Sequence, residues 1–120
     1  RQILTDIIKT SHPDMKIVDP ITLFPDSVTY DDEKAKRVLR ELVEIAGNSD
    51  LIVAYLPEAS MGTAMEMLRA YDKGKPILTI SPMNKNWFIL AVSTMIFPSI
   101  DAFEKWVIET DLDEWISKVQ

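Results

Sequence analysis

The sequence predicts a single α/β domain in which a parallel sheet carries helices on both faces. Two short runs, residues 51–56 and 76–80, are almost entirely apolar, which is typical of strands buried on both faces of a parallel sheet. Amphipathic segments of helix length lie before, between and after these runs. Alternation of this kind indicates βαβ units.

The first third of the chain predicts a helix, a strand and a long loop. A helix that ends near Ser11 is predicted by the amphipathic stripe of Ile3, Leu4, Ile7 and Ile8. The apolar run at residues 15–18 ends at Asp19 and predicts a buried strand. Residues 20–30 are rich in proline and turn-forming side chains and predict a long loop, a feature that often carries function.

The middle of the chain predicts two helices around the first apolar run. The first spans residues 31–46 and is followed by Gly47-Asn48, a C-cap signal. The second spans residues 60–73 and ends at Gly74. The side chains that we expect this second helix to turn toward the core are Met61, Ala64, Met65 and Leu68.

The last third continues the alternation. Residues 86–94 predict a helix, residues 95–97 a short strand, and residues 101–108 and 111–119 two terminal helices. Parallel sheets bind ligands beyond the carboxyl ends of their strands. The segments in which to look for a site therefore follow residues 18, 56 and 80.

Composition excludes several classes of function. The net charge is −6, which disfavours DNA or RNA as the main partner because phosphate neutralisation needs a basic surface. The chain has no cysteine and one histidine, which excludes thiolate chemistry and disfavours a zinc site. No apolar run approaches the ~20 residues of a membrane span, and no signal peptide is visible, so we expect a cytoplasmic protein.

The stretch after the first apolar run carries the most chemistry. Ser60 precedes a predicted helix whose first backbone N–H groups are able to hold an anion without a lysine. Glu66 lies about 9 Å further along the helix axis, at ~1.5 Å per residue, which matches the reach of a sugar phosphate. Gly62 lies one turn before Glu66 and leaves room for a ligand beside the carboxylate. A carboxylate in this position is able to attack an anomeric carbon.

The same residues have an ordinary structural interpretation. Ser60 is a good N-cap, Gly62 is able to serve close packing, and Glu66 is able to be a solvated helix residue near Arg69. Features of this kind occur in many βα units. The pattern alone leaves both interpretations open.

The residues from Asp50 to Glu66, followed by Ala70 and by Gly-Lys-Pro at 74–76, resemble the nucleoside 2-deoxyribosyltransferase family. The resemblance covers residues 15–108, and residues 50–82 are its specific part. It implies a flavodoxin-like three-layer sandwich, a homodimer or larger assembly, and no metal or organic cofactor. It also implies that Glu66 is the nucleophile that cleaves the bond between base and 2-deoxyribose.

Within the family, Ser60 favours the 2′-deoxynucleoside 5′-monophosphate N-glycosidases. Members that act on unphosphorylated nucleosides tend to place an acid near this position, whereas the monophosphate hydrolases resemble this chain in having serine. A hydroxyl and helix amides bind a phosphate that a carboxylate would repel. Glu58 lies close by in sequence and opposes this interpretation unless it points outward.

The resemblance assigns further positions less directly. The family has a second acidic residue on the helix before the buried strand. It matches Glu41 if this chain has one extra residue between that position and Asp50, and Glu44 is the alternative. Asp19 and Asp26 lie where the family contacts the base, although both also fit ordinary turn chemistry. Asn86 and Ser93 resemble positions through which a neighbouring subunit completes the pocket. The alternatives are that Asn86 caps a helix and that Ser93 is a packed small residue.

One part of the family pattern has no counterpart in the sequence. The family's first strand and the glycine-rich loop after it would precede the helix that ends near Ser11, so we expect part of the site to lie outside the residues named above. Three functions remain open from the sequence. They are hydrolysis of deoxynucleoside monophosphates, exchange of bases between deoxynucleosides, and nucleotide binding without catalysis.

Overall fold

A computed structural model describes residues 2–25 and 29–120 of the chain, without the side chains of Ile21 and Thr22. Within these residues one parallel sheet has the strand order β1-β2-β3. The strands are β1 (Ile52–Tyr55), β2 (Ile77–Ile80) and β3 (Met95–Phe97). The predicted α/β fold with a parallel sheet is confirmed.

The helices surround the strands in the predicted order, except that a short helix begins the segment at residues 20–30, where the sequence predicts only a loop. None of those described is long and apolar enough to cross a membrane. Their bounds are α1 (Gln2–Ser11), α2 (Pro20–Leu23), α3 (Asp32–Asn48), α4 (Met61–Asp72), α5 (Trp87–Val92), α6 (Ile100–Glu109) and α7 (Leu112–Val119).

Two apolar clusters make the three layers, because side chains alternate between the two faces of each strand. On one face, Leu78, Ile80 and Phe97 pack with buried residues of α1, α6 and α7. On the other face, Ala54 and Ile77 pack with buried residues of α4 and α5. Helix α3 packs against α4 and completes that layer.

Glycine has a defined role at two helix positions. Gly74 has a φ of +72°, a conformation that glycine adopts without strain, and its N–H donates to the Tyr71 carbonyl at the end of α4. The predicted C-cap at Gly47 is wrong, because α3 continues to Asn48. A Cβ on Gly47 would lie 3.2 Å from Nε of Arg69, so this glycine permits the close approach of α3 to α4.

The predicted strand at residues 15–18 is wrong. The segment is irregular, and Met15 uses its carbonyl to accept a hydrogen bond from Nζ of Lys9 at 2.6 Å. A strand needs a neighbour with which to exchange backbone hydrogen bonds. Among the described residues this segment has no such neighbour, since the sheet pairs only β1 with β2 and β2 with β3.

The predicted core face of α4 is also wrong. Met61 is 92% exposed and Leu68 is 47% exposed, whereas Met67 and Ala70 are fully buried. Apolar side chains occupy several sides of this helix, so their spacing alone does not select the buried side. Packing against both the sheet and α3 makes the selection, and it leaves Met61 and Leu68 exposed, with Ala64 and Met65 half-buried.

Candidate functional site

A cavity of about 980 Å³ lies along the outer edge of β1. Its walls come from the irregular segment at residues 13–20, the last turns of α3, strand β1 and one side of α4, and also from core-facing residues of α1, β2, α6 and α7. Asp19 and Glu66 both line this cavity and are both half-buried. Two of the site residues predicted from sequence, far apart in the chain, therefore line one cavity.

The beginning of α4 is an open helix turn, and its residues Ser60, Met61 and Gly62 are not among the described lining of the large cavity. Ser60 is the N-cap, with extended backbone, and its Oγ accepts a hydrogen bond from the Thr63 N–H at 3.3 Å. The N–H groups of Met61 and Gly62 belong to the first turn, where a helix offers no acceptor of its own. A Cβ added at Gly62 would meet nothing within 4 Å, so the space beside this turn is open.

Glu66 lies below this turn on the side of α4 that meets the cavity. Thr63, three residues earlier, lines the same cavity, and the neighbouring Met67 and Ala70 are fully buried against the sheet. Glu66 is thus placed at the border between the buried face of α4 and the side next to α3. Because α4 is well packed, its backbone fixes the position of this carboxylate relative to the first-turn N–H groups that follow Ser60.

The structure separates the two candidates for a second acid. Both side chains are exposed, but Glu44 lines the cavity and Glu41 is not among its described residues. The contact of Gly47 with Arg69 sets the register between α3 and α4. Glu44 and Glu66 both line the cavity, from the two helices that this contact joins.

Asn86 and Ser93 make hydrogen bonds within the chain. Asn86 is the N-cap of α5, and its Oδ1 accepts from the N–H groups of Phe88 and Ile89 at 2.9 and 3.2 Å. Ser93 ends α5, and its Oγ lies 2.6 Å from Oγ of Thr79 in β2. Neither residue lines the cavity with Glu66 in the described part of the chain. Asp26 lies outside the described residues.

Two further residues contribute to the site region, and the sequence analysis did not single them out as site residues. Thr63 lines the large cavity, and its spacing from Glu66 is the signal that would have identified it. Tyr55, at the carboxyl end of β1, lines both the large cavity and a second one of about 310 Å³ that also includes Ser81. Ser81 is used structurally, because its hydroxyl donates to the Leu56 carbonyl at 2.6 Å.

The cavity is rich in carboxylates. Asp19, Glu44 and Glu66 line it from three different elements. Among the described residues, no group of three or more acidic or histidine side chains is close enough to hold a metal ion. Carboxylates arranged in this way suit a reacting centre that becomes positively charged, as a sugar does when its glycosidic bond breaks.

The chain is similar to a solved structure. No protein-family model matches the chain, and no curated protein matches it. A solved structure of a CMP N-glycosidase, BcmB, from Clostridium botulinum is similar over 75% of this chain and 75% of that chain. The identity is 20% and the TM-score is 0.47.

Proposed function

We propose that the protein hydrolyses the N-glycosidic bond of 2′-deoxynucleoside 5′-monophosphates, and that Glu66 is the nucleophile. The observation that carries the proposal is the position of Glu66. It lines the same cavity as Asp19 and lies about 9 Å along α4 from the open N-terminal turn at Ser60. A bound deoxynucleotide spans this distance, with its phosphate at the turn and its sugar at the carboxylate.

The reaction proceeds in two displacements. One carboxylate oxygen of Glu66 forms a bond to C1′ while the bond from C1′ to the base nitrogen breaks, and its electron pair leaves with the base. A proton supplied by a second acid or by water neutralises the departing base. Water then attacks C1′, its proton passes to a base in the cavity, and the Glu66 carboxylate is regenerated with release of deoxyribose 5-phosphate.

The N-terminal turn of α4 supports the choice of a phosphorylated substrate. Ser60 offers a hydroxyl, and Met61 and Gly62 offer first-turn N–H groups, so an anion is bound by hydrogen bonds and by the helix dipole without a cationic side chain. Glu58 is exposed. Water therefore screens its charge from an anion at the turn.

The remaining predicted residues take supporting roles in this proposal. Asp19 shares the cavity with Glu66 and is proposed to contact the base. A neighbouring subunit of a homodimer is proposed to complete the pocket, with Asn86 and Ser93 near the contact. The resemblance assigns the second acid to Glu41, while the cavity favours Glu44.

Substitution separates the two candidates for the second acid. We expect Glu44→Gln to lower kcat by about a hundredfold or more, since a positioned acid contributes roughly 10²–10⁴-fold. Glu41→Gln, which removes the same charge from the same helix at an exposed position, is expected to retain nearly full activity. The dependence of kcat on pH distinguishes proton transfer from a structural effect. Only removal of the proton-donating group abolishes the fall in kcat on one side of the pH profile. The opposite ranking would assign the role to Glu41.

The activity itself is tested on the purified protein. It is incubated with the common 2′-deoxynucleoside 5′-monophosphates, with the matching nucleosides, and with cytidine 5′-monophosphate, and free base is measured by chromatography. The proposal expects base release from at least one deoxynucleotide. Release from unphosphorylated deoxynucleosides, with transfer to added adenine, would identify a base-exchanging transferase instead. Tight nucleotide binding without any base release would identify a binding protein.

A further inference from the structure

Ser81 places one hydroxyl group between two loops of the chain. It follows β2 directly, it is fully buried, and its Oγ donates a hydrogen bond to the Leu56 carbonyl at 2.6 Å. The same Oγ accepts a hydrogen bond from the Met83 N–H at 3.0 Å. Leu56 belongs to the loop between β1 and α4, and Met83 to the loop between β2 and α5. One hydroxyl therefore joins the loops that leave two parallel, neighbouring strands.

The first turn of α4 is the part of this helix with the least support. Met61 and Gly62 are exposed, whereas the first fully buried side chain of the helix is Met67. Helix ends fray where tertiary contacts do not hold them. The loop before this turn, residues 57–59, takes part in none of the described backbone hydrogen bonds. The later turns of α4 thus fix where the first turn lies, but they do not keep it formed.

Leu56 anchors the backbone just before that loop. Its N–H donates to the Ile80 carbonyl at 2.9 Å, and its carbonyl accepts from Ser81. Ser60, the N-cap of α4, comes only four residues later. Because the connection is so short, a fixed Leu56 carbonyl restricts the conformations that are open to the loop. The Ser81 hydroxyl therefore stabilises the entrance to the helix from a distance.

We propose that Ser81 is a positioning residue that keeps the first turn of α4 formed, and that through this turn it maintains the preference for a phosphorylated substrate. The first part rests on the hydrogen bonds, whereas the second rests on the proposed function. Hydrogen bonds weaken steeply away from linear geometry, so first-turn N–H groups bind a phosphate well only when their directions are fixed. An unphosphorylated nucleoside does not use these groups and is less sensitive to the order of the turn.

Amide hydrogen exchange, measured by NMR without substrate, tests the first part. Ser81→Ala removes the hydroxyl and deprives Leu56 and Met83 of their hydrogen-bond partner. The N–H groups of Thr63 and Ala64 bond to Oγ and the carbonyl of Ser60 at 3.3 and 3.0 Å, so they report on the first turn. Their exchange is expected to become roughly tenfold faster or more in the variant.

Thr94→Val is the matched control. Oγ1 of Thr94 accepts a hydrogen bond from the Ile77 N–H at 3.0 Å, so this variant also removes a hydroxyl that is bonded to the backbone. Ile77 begins β2, whereas Ser81 follows its end. The control therefore loses a comparable bond at the opposite end of the strand, and the exchange at Thr63 and Ala64 is expected to stay close to that of the unchanged protein.

Steady-state kinetics test the second part. Ser81→Ala is expected to raise KM for the deoxynucleoside monophosphate about tenfold and to change kcat far less, because a contact that binds ground state and transition state equally is weakened. The ratio of kcat/KM for monophosphate and nucleoside is expected to fall by the same factor in Ser81→Ala and to stay constant in Thr94→Val. A constant ratio in Ser81→Ala would overturn the role in substrate preference.

The exchange result decides the positioning role even without activity. Unchanged exchange at Thr63 and Ala64 in folded Ser81→Ala, or equal acceleration in the control, would overturn that role. If Ser81→Ala does not fold, the unchanged protein supplies the test, since its Met83 N–H is expected to exchange slowly and rapid exchange there would contradict the inference. If no deoxynucleotide releases its base, the proposed function fails while the exchange data still show whether Ser81 holds the turn.

Discussion

Glu66→Gln is expected to abolish base release, with kcat reduced roughly a thousandfold or more. The amide keeps the size of the side chain and its ability to accept a hydrogen bond, but it does not form a stable bond to C1′. A thousandfold loss corresponds to about 4 kcal/mol of transition-state stabilisation. Steady-state kinetics with the best deoxynucleotide measure this, and KM is expected to change far less than kcat because the phosphate contacts remain.

The matched control for this variant is Glu58→Gln. Glu58 is exposed in the turn before α4, and its replacement removes the same charge without altering the described lining of the large cavity. Mass spectrometry of the quenched reaction adds a direct readout, since the unchanged protein is expected to carry one deoxyribose 5-phosphate and Glu66→Gln none. Full activity in Glu66→Gln, or equal losses in the two variants, would remove the nucleophile from its assigned position.

Sequence was most informative where local chemistry decides the structure. The N-cap at Ser60, the end of α4 at Gly74 and the i, i+4 relation of Gly62 to Glu66 all depend on residues within one or two turns of each other. These features follow from the residue types alone. For this reason the position of Glu66 relative to an open helix N-terminus was predictable before any tertiary contact was known.

Prediction from sequence failed where contacts between distant segments of the chain decide the structure. The apolar run at residues 15–18 has the composition of a strand, but a strand also needs a neighbouring strand, and the described residues supply none to this segment. The core side of α4 depends on how α3 packs, through Gly47 and Arg69. The same packing places Glu44 in the lining of the cavity. The spacing between Glu44 and Asp50 in the sequence does not reveal this.

Ser60→Asp is expected to shift the substrate preference from deoxynucleoside monophosphates toward unphosphorylated deoxynucleosides. Aspartate is as good an N-cap as serine, so α4 is expected to form normally. Its negative charge, however, stands where the proposed site binds a phosphate. Loss of a hydrogen bond to a charged group costs about 1.5–3 kcal/mol, so kcat/KM for the monophosphate is expected to fall roughly tenfold to a hundredfold.

The chain offers a matched control for this substitution as well. Ser99 is the N-cap of α6, where its Oγ accepts a hydrogen bond from the Ala102 N–H at 3.2 Å in the same way that Ser60 serves α4. Ser99→Asp therefore adds the same charge to an equivalent helix end, and it is expected to leave the ratio of kcat/KM for monophosphate and nucleoside unchanged. Ser60→Asn keeps a neutral N-cap and is expected to retain most of the preference for the monophosphate. If Ser60→Asp leaves that ratio unaltered, the phosphate does not bind at the N-terminus of α4, and the orientation of the nucleotide in the cavity has to be reversed.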